Sequence, residues 1–341
     1  MLPIAQPFPP MEASSADELP EGADWQYEPK WDGFRCVVFR DGAEVALQSK
    51  SCKPLERYFP EVVAMVSSLR PRAFVLDAEL VVPVDGRLSF DALLQRIHPA
   101  ESRIVRLSNE TPAQLIVFDL LATGEKTSLL ERPLEERRPK LEEWATSYLD
   151  GQPSIHLSPA TTDRSIARKW LHELSGVDGV VAKPLADPYR SGERAMTKVK
   201  RLRTADCVIG GFRWSKNEGV GSLLLGLYDD DGLLHHVGFC SSFDRRQKAE
   251  LPEILEPHRG PPGFTGNAPG GPSRWASEES REWEPMKHEL VVEVQYDHFT
   301  NGRFRHGTSF QRWRPDKAPR QCGFDQLGAE GEGWTRVIGS G

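Results

Sequence analysis

Apolar and polar positions along this 341-residue chain follow two rhythms. Up to about Arg203, apolar runs with strand character (Cys36–Phe39, Phe74–Val82, Leu115–Leu121, Gly179–Ala182) alternate with stretches of helical spacing (Leu55–Leu69, Leu134–Tyr148, Ser165–Ser175). That alternation predicts a mixed domain, α+β or α/β. After Thr204 the short strands follow one another closely: Cys207–Phe212, Ser222–Tyr228, Leu233–Phe239 and Leu290–Tyr296. The turn Asp229-Asp230-Asp231-Gly232 predicts a hairpin between the middle two, and a single helix, Asp244–Leu251, interrupts the series. Several short strands with one helix predict a small β-barrel. The Pro- and Gly-rich stretch Pro257–Pro272 reads as an exposed loop. The change of rhythm puts a boundary at 201–206 and divides the chain into 1–203 and 204–341.

Polar residues that interrupt apolar runs mark candidate chemistry. In Phe74–Val82 strand alternation puts Leu76, Ala78, Leu80 and Val82 on one face. Asp77 and Glu79 share the other face with Val75 and Val81. Two carboxylates on an apolar face repel each other when buried without a counter-charge. Mg²⁺ or a ribose hydroxyl is one partner, and water or a neutralising lysine is another. Leu115–Leu121 holds Phe118 and one acid; the ring either stacks on a base, worth roughly 1–3 kcal/mol, or belongs to the core. In Gly176–Lys183 simple alternation sends Asp178 and Lys183 to opposite faces, so the two meet one pocket only if the strand start is irregular. Glu28-Pro29-Lys30-Trp31-Asp32-Gly33-Phe34-Arg35 puts a lysine in a turn-prone segment, where Gly33 allows backbone angles other residues resist.

Acidic residues outnumber Lys plus Arg by 50 to 43, giving a net charge of −7 and excluding a globally basic coat. Two local patches run against that balance. Lys198, Lys200, Arg201 and Arg203 put four positive charges in six residues, with Lys198 and Lys200 on one face of an extended segment. Arg303–Arg320 carries six Lys/Arg and one acid, with Phe304, Phe310 and Trp313 interleaved and Asp316 near Arg312, Arg314 and Lys317. Such patches suit phosphate. The five cysteines lack C-x-x-C spacing, which argues against a zinc ribbon or disulfide framework and for reduced thiols in a cytoplasm. No signal peptide and no membrane span are expected.

The six segments, in this order, resemble the covalent nucleotidyltransferase superfamily of polynucleotide ligases and capping enzymes. Trp283-Glu284-Pro285, Val291–Val294, Arg305-His306 and Arg314-Pro315-Asp316-Lys317 are similar to the end of a bacterial ATP-dependent DNA ligase of the compact two-domain kind, most like the ligase C group of mycobacteria. The resemblance implies an α+β fold with an ATP-grasp-like nucleotidyltransferase domain and a C-terminal OB-fold. It implies ATP and Mg or Mn as cofactors and nicked duplex DNA as partner, contacted through its backbone. Lys30 is then the nucleophile that forms lysyl-AMP. Glu28 lies at the adenine edge, Arg35 near ribose and phosphate, and Phe118 against adenine. Glu79 contacts ribose and metal, and Asp178 the metal. Lys198 and Lys200 hold the α-phosphate, while Arg314 and Lys317 orient the leaving pyrophosphate.

Two positions depart from the family pattern: Ser49-Lys50 where Ser-Arg is usual, and Asp178 where glutamate is usual. Lysine at 50 keeps the charge but not the two-donor fork. Mg²⁺ with Lys183, Lys198 and Lys200 is expected to favour the neutral amine of Lys30. The nearness of Lys30 to the start implies no preceding DNA-binding domain, so DNA grip falls to the two basic patches and to Lys50, Lys53 and Arg57. A monomer is expected, with a repair polymerase or end-binding protein as a fitting partner. The rival readings are a GTP-using capping-type enzyme or RNA ligase, and a nick- or end-binding module without catalysis.

Overall fold

The computed structural model describes residues 1–174, 177–215, 219–270, 282–327 and 334–338. The end of the predicted third helix, Ser175, and the end of the predicted loop, Gly271-Pro272, lie outside them. The chain forms two units, 1–201 with 330–341, and 202–329.

The first unit opens with β1 (Glu12–Ala16), β2 (Trp25–Trp31), β3 (Phe34–Asp41) and β4 (Glu44–Ser49). Helix α1 (Pro60–Ser68) leads to β5 (Ala73–Val81) and the small hairpin β6 (Pro83–Val84) and β7 (Arg87–Leu88). Helices α2 (Phe90–Gln95) and α3 (Glu101–Glu110) precede β8 (Gln114–Thr123) and its short partner β9 (Thr127–Ser128). Then come α4 (Leu134–Tyr148), β10 (Ile155–Leu157), α5 (Arg164–Glu173), β11 (Val177–Pro184) and β12 (Arg194–Lys200). The expected helix over Leu55–Leu69 is shorter at its start. Pro60 has no amide hydrogen to donate within a helix, so it sits in the first turn of α1, after a separate 3-10 turn at Glu56–Tyr58.

Two sheets result. One has the order β1-β12-β11-β2, the other β10-β8-β5-β3-β4 with β9 on β8. The second sheet is covered on both faces, which is why β8 reads as an almost unbroken apolar run. On one face Val38, Leu76, Ala78, Leu80 and Val117 pack with Val62 and Val66 of α1 and Leu141 and Trp144 of α4. On the other, Val37, Phe39, Val75 and Leu121 pack with Met196 of the first sheet and with Ile4, Phe8 and Met11. The first sheet turns Tyr27, Val180, Ala182 and Val199 toward Ala167 of α5.

The second unit contains β13 (Arg203–Trp214), β14 (Val220–Tyr228), β15 (Leu234–Cys240), α6 (Arg245–Leu255), β16 (Glu284–Pro285), β17 (Val291–Tyr296), β18 (Phe299–Thr300), β19 (Arg303–Phe304) and β20 (Ser309–Trp313). The sheet order is β15-β14-β13-β17-β20, with β16 on β13. A parallel bridge between Cys240 and Thr308 joins the ends of β15 and β20. The predicted hairpin joins β14 to β15, with Gly232 at φ +75°. The predicted exposed loop is anchored rather than free: Phe264 is buried in the core and occupies the space a side chain at Gly210 would need.

The chain after residue 329 does not stay with this unit. Helix α7 (Trp334–Ile338) belongs to the first unit, so a second domain running to 341 is corrected at its end. Among the described residues no helix is long and apolar enough to cross a membrane.

Gly179 is a position where only glycine fits. Its φ is +149°, and a Cβ there would lie 2.1 Å from the Val199 carbonyl oxygen. Gly179→Ala is expected to destabilise the first unit by about 2 kcal/mol or more, read as a lower melting temperature.

Candidate active site

The site forms where the apolar layer between the two sheets gives way to charge. A cavity of about 270 Å³ is lined by Glu28, Lys30, Arg35, Lys50, Glu79, Phe118, Lys183 and Lys198, together with Met11, Glu12 and Met196. Lys30 is the penultimate residue of β2, not a turn residue. The turn is Asp32-Gly33, which carries the chain from the first sheet into β3 of the second. Gly33 is required there for space rather than for unusual backbone angles: a Cβ would lie 2.2 Å from the Leu80 carbonyl oxygen and 2.8 Å from Glu79 Cγ.

Asp178 reaches this region through an irregular strand. The pairing of β11 with β2 slips between Val177 and Gly179, which turns Asp178 away from the side of Val180 and Ala182. Its Oδ2 accepts a 2.5 Å hydrogen bond from Lys30 Nζ. Lys183, further along the same strand, donates to both oxygens of Glu28 at 2.8 Å. Gln26 Nε2 also donates to Glu28 at 2.7 Å, so this buried carboxylate is fully engaged.

The acidic face of β5 is divided between two roles. Asp77 is fully buried and accepts 2.5 Å bonds from Arg35 Nε and Nη2 and a 2.6 Å bond from the Tyr189 hydroxyl. An arginine, rather than a metal, ribose, water or lysine, therefore neutralises it. Glu79 stays on the cavity wall. Arg35 also stands 4.6 Å from the centre of the Phe118 ring, and Lys183 Nζ stands 4.8 Å from it. Phe118 lines the cavity rather than belonging to an apolar core cluster.

Electrostatics differ among these groups. Burial pushes the Glu79 carboxyl up to about 7, although Arg35 and Lys30 pull it back. Burial lowers the Lys198 pKa, with Lys30 and Lys200 adding repulsion. Lys30 behaves oppositely. Burial disfavours its charge, but the ion pair and hydrogen bond with Asp178 outweigh that, and its pKa is raised. Next to Asp178, the neighbouring lysines by themselves do not favour the neutral amine. In this arrangement Asp178 holds Lys30 as an ammonium.

The remaining predicted residues divide between the units. Lys198 lines the cavity, and Lys200, two residues on along β12, pairs in register with Gly179. Lys50 lies at the cavity edge, 3.0 Å from Glu12. Arg314 and Lys317 belong to the second unit. Arg314 bonds Asp316 and Asp206, while Lys317 bonds Asp206 at 2.9 Å. Arg312 pairs instead with Glu293. Sequence reasoning missed Asp206 and Glu293, and also Met11, Glu12 and Tyr189. These are brought in by strand pairing and loop packing, for which no local motif exists. Among the described residues no cluster of three or more His, Cys, Asp or Glu forms a ready metal cage.

Comparisons with known proteins show the family. The model of the ATP dependent DNA ligase domain matches residues 4–200, and that of the ATP dependent DNA ligase C terminal region matches 216–317. The chain is 45% identical to DNA ligase C2 of Mycolicibacterium smegmatis, over 96% of each protein. It is 43% identical to DNA ligase C of Mycobacterium tuberculosis, over 96% of this chain and 95% of that protein. A solved structure named Pmar-Lig_PreS3 shares the fold over 85% of this chain and 63% of its own, with a TM-score of 0.55 and 16% identity. With both family models matching in order and relatives of this similarity named as DNA ligases, the chain belongs to the ATP-dependent DNA ligase family.

Proposed function

We propose that the chain seals nicks in duplex DNA through a lysyl-AMP formed on Lys30. The observation that carries this reading is the single cavity that brings Lys30, Phe118, Glu79 and Lys198 together. In the first step the Lys30 amine attacks the α-phosphorus of ATP and pyrophosphate leaves. AMP then passes to the 5′-phosphate of the nick. Finally the 3′-hydroxyl attacks that phosphate and AMP departs. Each step is an in-line transfer in which positioning and charge stabilisation dominate.

The residues divide this work. The Phe118 ring offers a stacking surface for adenine, beside the buried Glu28–Lys183 pair. The Arg35 fork is already taken by Asp77, so Arg35 holds the pocket wall and presents only its remaining edge toward ribose and phosphate. Lys198 and Lys200 meet the α-phosphate. Attack needs the free amine, so the Lys30 proton must leave, and Asp178 is the acceptor already bonded to it. Arg314 and Lys317, held by Asp206, serve the pyrophosphate. Glu79 and Asp178 suit Mg or Mn, which bind through one or two carboxylates plus substrate phosphate. Bound there, the ion supplies charge neutralisation on the triphosphate.

The topology of the second unit supports an OB-fold: five strands in the order β15-β14-β13-β17-β20, ends bridged, with α6 between the third and fourth in sequence. DNA contact through backbone phosphates gives little sequence preference and steep salt dependence.

Three outcomes follow. Lys30→Ala will take no label from α-³²P-ATP on a denaturing gel, yet will still join a nick supplied already adenylylated. If it cannot join that substrate, the assignment of Lys30 to the first step alone is wrong. Asp178→Asn removes the group that raises the Lys30 pKa, so the rising limb of the rate of label formation against pH moves to lower pH. A limb that stays put would show that the pair does not govern deprotonation. Glu79 concerns stability. The folded chain binds its proton more tightly than the unfolded chain, whose value is near 4.5, and releases it at about 7. Its contribution is therefore complete below the lower value and lost as pH rises to the upper one. Glu79→Gln should show a melting temperature that gains on the parent through that window, and a constant difference across it would contradict the raised pKa.

A further inference from the structure

The C-terminal helix α7 carries an indole into the back of the site. Trp334 is buried, and its Nε1–H donates a 3.0 Å hydrogen bond to the Gly86 carbonyl in the turn between β6 and β7. Its ring lies edge-on to His156 at 6.0 Å. It belongs to one apolar cluster with Trp31, Val81, Ile116 and Val177, with Leu88, Leu174 and Ile338 packed around them.

Members of this cluster are close sequence neighbours of the proposed reacting groups. Trp31 follows Lys30, and Val177 precedes Asp178; the two are direct cross-strand partners in the first sheet. Val81 lies two residues after Glu79 on β5, and Ile116 two before Phe118 on β8. Ile116 is also the cross-strand partner of Glu79 in the second sheet. The cluster that holds Trp334 therefore spans both sheets, at the strand segments that bear the proposed nucleophile, its proton acceptor, the cavity carboxylate and the stacking ring. Trp31 is itself held by a 2.9 Å bond from its Nε1 to Ser158 Oγ, so the surface that receives Trp334 is fixed.

We propose that Trp334 is a positioning residue for adenylylation: it sets the spacing between the sheet that holds Lys30 and Asp178 and the sheet that holds Glu79 and Phe118. Close-packed interiors transmit displacement, so removing an indole from the seam lets the two halves of the site shift against each other. ATP takes its contacts from both sheets, adenine and ribose from Phe118 and Glu79 and phosphate from Lys198 and Lys200, so it still binds, while a shift between the sheets moves the α-phosphorus relative to the Lys30 amine. The alignment of amine and α-phosphorus suffers. This rests on the reading of Lys30 as nucleophile.

The test uses the full chain with Trp334→Ala and Trp334→Phe. Single-turnover lysyl-AMP formation from α-³²P-ATP is followed across ATP concentrations, at a temperature where circular dichroism shows each variant folded. Misplacement of about 1 Å costs on the order of 100-fold, so Trp334→Ala should slow the maximal rate at least about tenfold. The ATP concentration for half-maximal rate should change far less, and Trp334→Phe should recover most of the rate. A folded Trp334→Ala that labels at the parent rate would overturn the proposal and leave the indole a plug that only stabilises. So would a loss confined to ATP half-saturation. If the alanine variant does not fold, Trp334→Phe and Trp334→Leu give the same comparison: rates that fall with side-chain volume support the proposal, and equal rates overturn it. An unlabelled parent chain, or label persisting in Lys30→Ala, would instead refute the reading of Lys30.

Discussion

The geometry of the site depends on one close approach of backbone to backbone. At Gly33 the chain leaves the first sheet and enters the second, and the Leu80 carbonyl lies where any side chain would begin. That contact lets Lys30 end one sheet and Arg35 begin the other, only five residues apart. Lys30 and the arginine that neutralises Asp77 are thus fixed on opposite walls by one turn. Glu79 Cγ borders the same space, so the turn and the cavity carboxylate are packed against each other.

The seam between the sheets is apolar at both ends and charged in the middle, and the charges are held in pairs. Asp77 with Arg35 and Tyr189, Glu28 with Lys183 and Gln26, and Asp119 with Arg137 each satisfy a buried carboxylate with several donors. Removing ions from water is expensive, and such groups hold position rather than add much net stability. Their value is rigidity: Arg137 also stands over the Tyr189 ring, at 5.7 Å, linking the third pair to the first. Against this fixed background Lys30, Lys198 and Glu79 are among the cavity groups whose proton affinity is shifted, and they are groups that the proposed chemistry uses.

The second unit shows how a sequence patch changes character on folding. The run from Arg303 to Arg320 is locally basic, yet Arg312 pairs with Glu293 on the neighbouring strand, and Arg314 and Lys317 converge on Asp206 of β13. The Arg312–Glu293 pair is largely exposed on the arginine side and contributes little stability, whereas Asp206 is buried beneath Arg314 and Lys317. What they supply is a fixed orientation of these cations.

Much was legible in the chain itself. The strand rhythm located β5, β8 and β11, and alternation placed Asp77 and Glu79 on one face, because those properties are local. The family resemblance rested on ordered motifs, and the comparisons bear it out. Alternation also identified the conflict at Asp178, since a regular strand would have separated it from Lys183. The resolution came only from tertiary structure: Gly179 at the Val199 backbone forces a slip in register that swings Asp178 onto Lys30. The raised Lys30 pKa, the capture of Asp77 by Arg35 and the return of Trp334 behind the site are likewise products of long-range packing. Residue types and spacing determined which chemistry the chain carries. Which charges face one another, and hence which are free to react, was decided by contacts between residues up to 155 positions apart, which no local pattern encodes.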